Sequence, residues 1–265
     1  MIRFLFLLST ALVALSASAF RIDTITVATK HLKSADAVTV VVPDGAPAEK
    51  FPAVYLLHGY SDDNLCYIKR INGLGEMADK YKMILITPDG RNSWYWDTES
   101  MSMESFIVND LVPYIDAHYP VLPGRENRAV TGLSMGGHGA FYLGTRHPDI
   151  WGNIGSMSGG VNILPFPESW DIPKLLGKSR DEDTQLWKDH SAAFMVPQIK
   201  EGNFNIIFDC GCDDFFAGVN NELHQALLDA KVPHDYISRP GSHTWDYWNN
   251  SLPYHLFFFN TKFPR

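Results

Sequence analysis

Short, unbroken apolar runs alternate along this chain with stretches of helical spacing, and that alternation most limits the folds open to it. Ala53-Val-Tyr-Leu-Leu-His58 ends in Gly59, and Met83-Ile-Leu-Ile-Thr87 is stopped by Pro88-Asp89-Gly90. Runs apolar at both parities suit strands buried on both faces, as in a parallel sheet covered by helices. Residues 128–131, 153–157 and 205–209 read as further strands, and the opening is β-rich over 24–29 and 37–43. Between the strands, residues 67–81, 103–119, 135–146, 219–231 and 245–260 read as helices. In 103–119, Phe106, Ile107, Leu111, Val112 and Ile115 fall at helical spacing. The order predicts an α/β fold with a mainly parallel central sheet, right-handed crossovers and helices on both faces.

Residues 1–19 read as an export signal rather than as part of that fold. Arg3 is the only charge, Phe4 to Leu15 are mostly apolar, and Ala17-Ser18-Ala19 is a small-x-small cleavage site. The apolar run is shorter than the roughly 20 residues a membrane span needs. The mature chain, 20–265, is then expected as one exported domain, periplasmic or secreted, with no membrane attachment. Residues 161–200 break the alternation: Pro165, Pro167, Trp170, Pro173 and Trp187 accompany the charged run 178–183, with no evident strand. Forty residues can hardly build their own core, so this stretch is read as an excursion over the sheet edge.

Composition excludes several classes. Thirty acidic against 22 basic residues give a formal charge of −8, which disfavours electrostatic binding to nucleic acid or an anionic membrane. Three cysteines are too few for a disulfide framework and lack C-x-x-C zinc spacing. Cys66 pairing with Cys210 or Cys212 stays open. No cofactor or metal is expected, and the sequence leaves the oligomeric state open. Asp213 and Asp214 adjoin, but no further oxygen ligands recur at loop spacing.

Gly132-Leu133-Ser134-Met135-Gly136 lies between the strand at 128–131 and the helix that follows. A nucleophile on a sharp strand-to-helix turn needs small neighbours, and the helix N-terminus behind it favours developing negative charge. A serine at its free pKa needs a base, and the base needs an orienting carboxylate. Of the histidines downstream, only His243, in Gly241-Ser-His-Thr-Trp245, occupies a loop after a strand. For the acid, Asp209 ends a strand and points into the sheet layer, while spacing leaves Asp213 and Asp214 undecided. The early loop His58-Gly59-Tyr60 suits an oxyanion site built from the backbone N–H groups of Tyr60 and Met135, with the His58 side chain as packing. Trp94, Trp96 and, with less positional support, Trp170 are candidates for stacking on substrate; the alternative is that they pack their loops.

These segments resemble the esterase D-like putative esterases, a group that includes S-formylglutathione hydrolases, feruloyl and acetylxylan esterases of carbohydrate esterase family 1, and mycolyltransferases. The resemblance rests on Leu56-Leu-His-Gly-Tyr60, Gly132-Leu-Ser-Met-Gly-Gly-His-Gly-Ala140, Cys210-Gly-Cys-Asp-Asp-Phe215 and Gly241-Ser-His-Thr-Trp245. It implies an α/β-hydrolase fold, with Ser134 as nucleophile, His243 as base and Asp214 as the acid. Cytosolic S-formylglutathione hydrolases usually carry Asp-Gln-Gly where this chain has Asp209-Cys-Gly211, and they have no export signal. The implied activity is therefore a secreted serine esterase acting through an acyl-enzyme on acetyl or feruloyl esters of plant polysaccharides. The substrate is then a small ester or an acylated polysaccharide. The alternatives are a thioesterase of the S-formylglutathione type, acyl transfer to a sugar hydroxyl, and a catalytically silent carbohydrate-binding protein.

Overall fold

The computed structural model describes residues 20–46 and 48–264; the export-signal reading of residues 1–19 falls outside them. Eight strands form one sheet: β1 (Arg21–Val27), β2 (Asp36–Val42), β3 (Ala53–Leu57), β4 (Ile84–Pro88), β5 (Arg128–Gly132), β6 (Asn153–Met157), β7 (Asn205–Gly211) and β8 (Asp235–Arg239). Their order is β1-β2-β4-β3-β5-β6-β7-β8. β1 and β2 join antiparallel at one edge, and β3 to β8 run parallel.

Alternate side chains of each buried strand feed two cores. Ala53, Tyr55 and Leu57 of β3 enter one, shared with helices in 103–118, 135–146 and 217–229. Val54 and Leu56 enter the other, under helices Cys66–Arg70, Leu74–Tyr81 and Trp245–Lys262. The fold is thus an α/β hydrolase with helices on both faces of a mostly parallel sheet.

Two expected helices are interrupted for local reasons. The 67–81 stretch breaks at Ile71–Gly73, where Gly73 takes φ 68°. Within 103–118 the turn Ile107–Leu111 widens to π geometry just before Pro113, which has no N–H to give the helix. The 161–200 stretch forms helices Ile172–Leu176, Thr184–Asp189 and the start of Val196–Gly202. It docks on the first core through buried Ile163, Ile172, Trp187 and Ile199.

All three cysteines are free, which leaves no Cys66 bridge to the later loop. Cys66 packs in the second core and Cys210 in the first, so the sheet separates them.

Asp209, at the end of β7, is fully buried, with Arg239 Nη2 2.9 Å from its Oδ2. Burial is the largest influence on its carboxyl and pushes its pKa from 3.8 to about 7, against the lowering effects of Ser251 and Arg239. Between about pH 4 and 7 the folded state therefore holds a proton that the unfolded state has released, so stability falls as pH rises through that window. From pH 4 to 7.5 the urea midpoint of the wild type should fall relative to that of Asp209→Asn, while buried His138 and His255, both held near 3, shift both proteins alike in the opposite direction. Equal slopes would contradict this account of the buried carboxyl.

Candidate active site

The first parallel strand, β3, is flanked by β4 on one side and β5 on the other, so chain order reverses between β3 and β5. Crevices form outside the carboxyl ends of strands at such a switch point. The loop His58–Tyr60 leaves β3 there, and Ser134 leaves β5 beside it.

Ser134 has φ 56° and ψ −117°, a conformation that costs energy for any residue with a side chain. Its surroundings impose it. Ser134 N–H donates to Met157 C=O at 2.9 Å, while its own C=O accepts from His138 N at 3.1 Å and Gly160 N at 3.2 Å. The turn also packs directly on β3: a Cβ placed on Gly136 would lie 2.0 Å from the Leu57 carbonyl oxygen. One placed on Gly59 would lie 3.4 Å from the Ser134 Cβ, which sets the early loop against the serine.

His243 Nε2 lies 2.8 Å from Ser134 Oγ, and His243 Nδ1 lies 2.9 Å from Asp214 Oδ2. With Nδ1–H donating to the carboxylate, Nε2 is left to accept from the serine hydroxyl. Asp214 is buried, and its Oδ1 accepts from Phe216 N at 2.8 Å. Asp213 is exposed and ties the acid loop to the histidine loop through its N–H, 2.9 Å from Gly241 C=O. Burial and direct contact thus separate two aspartates that spacing left equivalent.

Three aromatic rings hold the His243 imidazole. Phe215 lies 4.3 Å away, Trp248 packs edge-on at 4.9 Å and Phe216 edge-on at 5.5 Å. Thr244 caps the helix that begins at Trp245, so the base sits one residue before that fixed cap. Tyr60 N–H and Met135 N–H have no acceptor among the described residues. Met135 opens its helix, where the first N–H groups lack intrahelical partners. His58 is buried, accepting from Gly90 N at 2.8 Å, with Nδ1 2.7 Å from Gly59 C=O; its side chain braces the loop.

Trp94 and Trp96 do not present rings to substrate. Both are buried, stacked on each other at 5.6 Å, because the chain at Trp94 and Tyr95 turns left-handed and folds the loop inward. Trp96 Nε1–H donates to His138 Nε2 at 3.0 Å, and His138 Nδ1 faces Gly160 C=O at 3.1 Å. Burial lowers the His138 pKa to about 3, so this imidazole stays neutral and supports the loop behind Ser134. Trp170 alone of the three remains partly exposed.

Two contacts went unrecognised in the sequence. Exposed Phe215 lies parallel to Trp170 at 5.8 Å, and Tyr60 O–H donates to Asp171 Oδ2 at 2.6 Å. The second joins residues 111 positions apart, which no local pattern could signal. The adjacency of Phe215 to the acid was the only available signal for the first.

An α/β-hydrolase fold with a serine, imidazole and carboxylate in hydrogen-bonded series defines a serine hydrolase, here a carboxylic ester hydrolase. Residues 29–259 match the family model described as putative esterase, and the chain belongs to that family. Its relatives include an acetyl esterase of Caldicellulosiruptor saccharolyticus, 26% identical over 84% of this chain and 92% of that one. An S-formylglutathione hydrolase of Mus musculus is 26% identical over 77% and 80%. Among structures, a ferulic acid esterase superposes with TM-score 0.81 at 30% identity, covering 93% of this chain and 100% of that one. An S-formylglutathione hydrolase of Staphylococcus aureus shares the fold at TM-score 0.80 and 18% identity, with 92% and 100% covered.

Gly136→Ala should lower the melting temperature by about 2–12 °C, since overpacking costs typically 1–3 kcal/mol and the contact is with rigid backbone. An unchanged melting temperature would show that the turn and β3 are not in this close contact.

Proposed function

We propose that this protein is an exported serine esterase that hydrolyses feruloyl-type esters of polysaccharides through an acyl-enzyme. The observation that carries the acyl preference is the aromatic shelf beside the base. Phe215 is 52% exposed, 4.3 Å from His243 and parallel to the half-buried Trp170. Exposed rings next to a reacting centre gain most from an aromatic partner that covers them, a contact worth about 0.5–1.5 kcal/mol beyond area. The 30% identical ferulic acid esterase supports the same reading.

The proposed reaction assigns a group to each step. Ser134 Oγ attacks the ester carbonyl carbon while His243 Nε2 takes its proton. The Tyr60 and Met135 N–H groups receive the oxyanion, and Asp214 stabilises the imidazolium. Collapse breaks the acyl C–O bond, and the alcohol leaves with the proton from His243. Water, deprotonated by the same imidazole, then attacks the acyl carbon, releasing the carboxylic acid and restoring Ser134.

Ser134→Ala should abolish hydrolysis with the fold intact. Asp214→Asn should reduce kcat by about 10⁴, the size of the same change in a serine-protease triad. In a panel of methyl ferulate, acetylated xylan, p-nitrophenyl acetate and S-formylglutathione, methyl ferulate should rank first. Phe215→Ala should cut its kcat/KM about tenfold with a smaller effect on acetyl esters. S-formylglutathione as the best substrate by far would overturn the reading. For export, N-terminal sequencing of the mature protein should begin at Phe20; retention of Met1 would contradict it.

A further inference from the structure

The ridge Trp170–Asp171 separates the aromatic shelf from a second concavity. Both residues are left-handed, with φ 50° and 57°, and Trp94 Nε1–H reaches the Trp170 carbonyl at 3.3 Å. Consecutive left-handed residues with side chains persist only where surrounding contacts enforce them, and they cluster at ligand clamps. Beyond the ridge, between the 97–101 loop and helix Ile172–Leu176, lies a cavity of about 630 Å³. That volume is within the range of sites for small organic ligands.

Its polar wall carries Asn92, Asp97, Glu99, Asp171, Lys174 and His190. Burial, foremost, lowers the His190 pKa, so that ring is uncharged at neutral pH. Three carboxylates then face one ammonium, a balance that disfavours anionic ligands such as glutathione, which carries two carboxylates, or a uronate. Carboxylate, amide and ammonium groups together match alternating hydroxyl donors and acceptors, while Met101, Leu175 and Leu176 offer apolar surface to C–H faces. Neutral sugars have both properties.

Two wall residues also hold the loop that presents Tyr60 N–H. Asn92 Oδ1 accepts from Ser61 N at 2.7 Å, and Asp171 Oδ2 accepts from Tyr60 O–H at 2.6 Å. The Tyr60 phenol keeps its proton, its pKa raised to about 12 by burial and then by Asp171. A ligand that fixes Asp171 therefore also fixes the loop at the oxyanion position, so binding energy gained away from the reacting bond acts on the chemical step.

We propose that this cavity is the subsite for the glycosyl side of the ester, an uncharged oligosaccharide, and that Asp171 acts as a positioning residue linking its occupancy to Tyr60. The inference rests on the esterase reading above for the view that the alcohol is a sugar. The cavity and its link to Tyr60 stand on geometry alone.

Two measurements test it. Calorimetric titration of Ser134→Ala protein with a neutral arabinoxylo-oligosaccharide bearing no acyl group should show saturable binding. Adding Lys174→Ala or Glu99→Gln, both at exposed positions, should weaken that binding tenfold or more. In turnover, the ratio of kcat/KM for a feruloylated arabinoxylo-oligosaccharide over methyl ferulate should exceed about ten in the wild type and fall towards one in both variants. Asp171→Ala should lower kcat more than it raises KM on the oligosaccharide ester. Asp171→Asn, which keeps an acceptor for Tyr60, should restore most of that kcat.

No binding of the free oligosaccharide, or a ratio near one in the wild type with methyl ferulate still hydrolysed, would overturn the subsite. Equal losses in Asp171→Asn and Asp171→Ala would overturn the positioning role. Failure to hydrolyse methyl ferulate would instead remove the feruloyl reading, and the titration would still decide whether sugars bind here.

Discussion

The turn at Ser134 packs directly against the end of β3, and the rest of the site depends on that contact. With Gly136 set against the Leu57 carbonyl, the serine is driven to φ 56° and its Oγ stands out at the carboxyl edge of the sheet. The same closeness places the His58–Tyr60 loop beside the serine, because that loop continues β3. The position of Ser134 and that of the Tyr60 loop are therefore set by one packing contact between neighbouring strands. The strain is offset by the hydrogen bond that Ser134 N–H donates to Met157 C=O and those its own C=O accepts from His138 and Gly160 N–H, and the buried neutral His138–Trp96 pair supports the loop at Gly160.

The other two members arrive from the far side of the sheet by separate loops that are bonded to each other. Asp213 N–H holds Gly241, and Phe216 N–H orients the Asp214 carboxylate. The aromatic rings around His243 then limit the imidazole to the orientation that bridges Ser134 and Asp214. One of those rings, Phe215, is exposed as well, so the residue that steadies His243 also presents a ring to solvent beside it.

The fold, the nucleophile and the base were legible in the sequence because each is marked locally: continuous apolar runs for strands, glycines around Ser134, and one histidine in a loop of the right kind. Asp213 and Asp214 were not separable by spacing, since both lie in one turn and only its tertiary packing buries one. The resemblance to the putative esterases was needed to choose Asp214. Trp94 and Trp96 stayed open between stacking on substrate and packing their loop because an aromatic in a loop carries no periodicity, so nothing in the sequence says which way the backbone turns; the structure buries both. The Tyr60–Asp171 bond depends on where the 161–200 excursion lands, and that is a tertiary outcome.

In the proposed reaction Ser134 carries an aromatic acyl group during turnover. Mass spectrometry of a rapidly acid-quenched reaction with methyl ferulate tests this directly. The expected result is the mass of a feruloyl group on the peptide containing Ser134, absent when His243 is replaced by alanine. Turnover without any adduct on that peptide, or an adduct on a different residue, would contradict it.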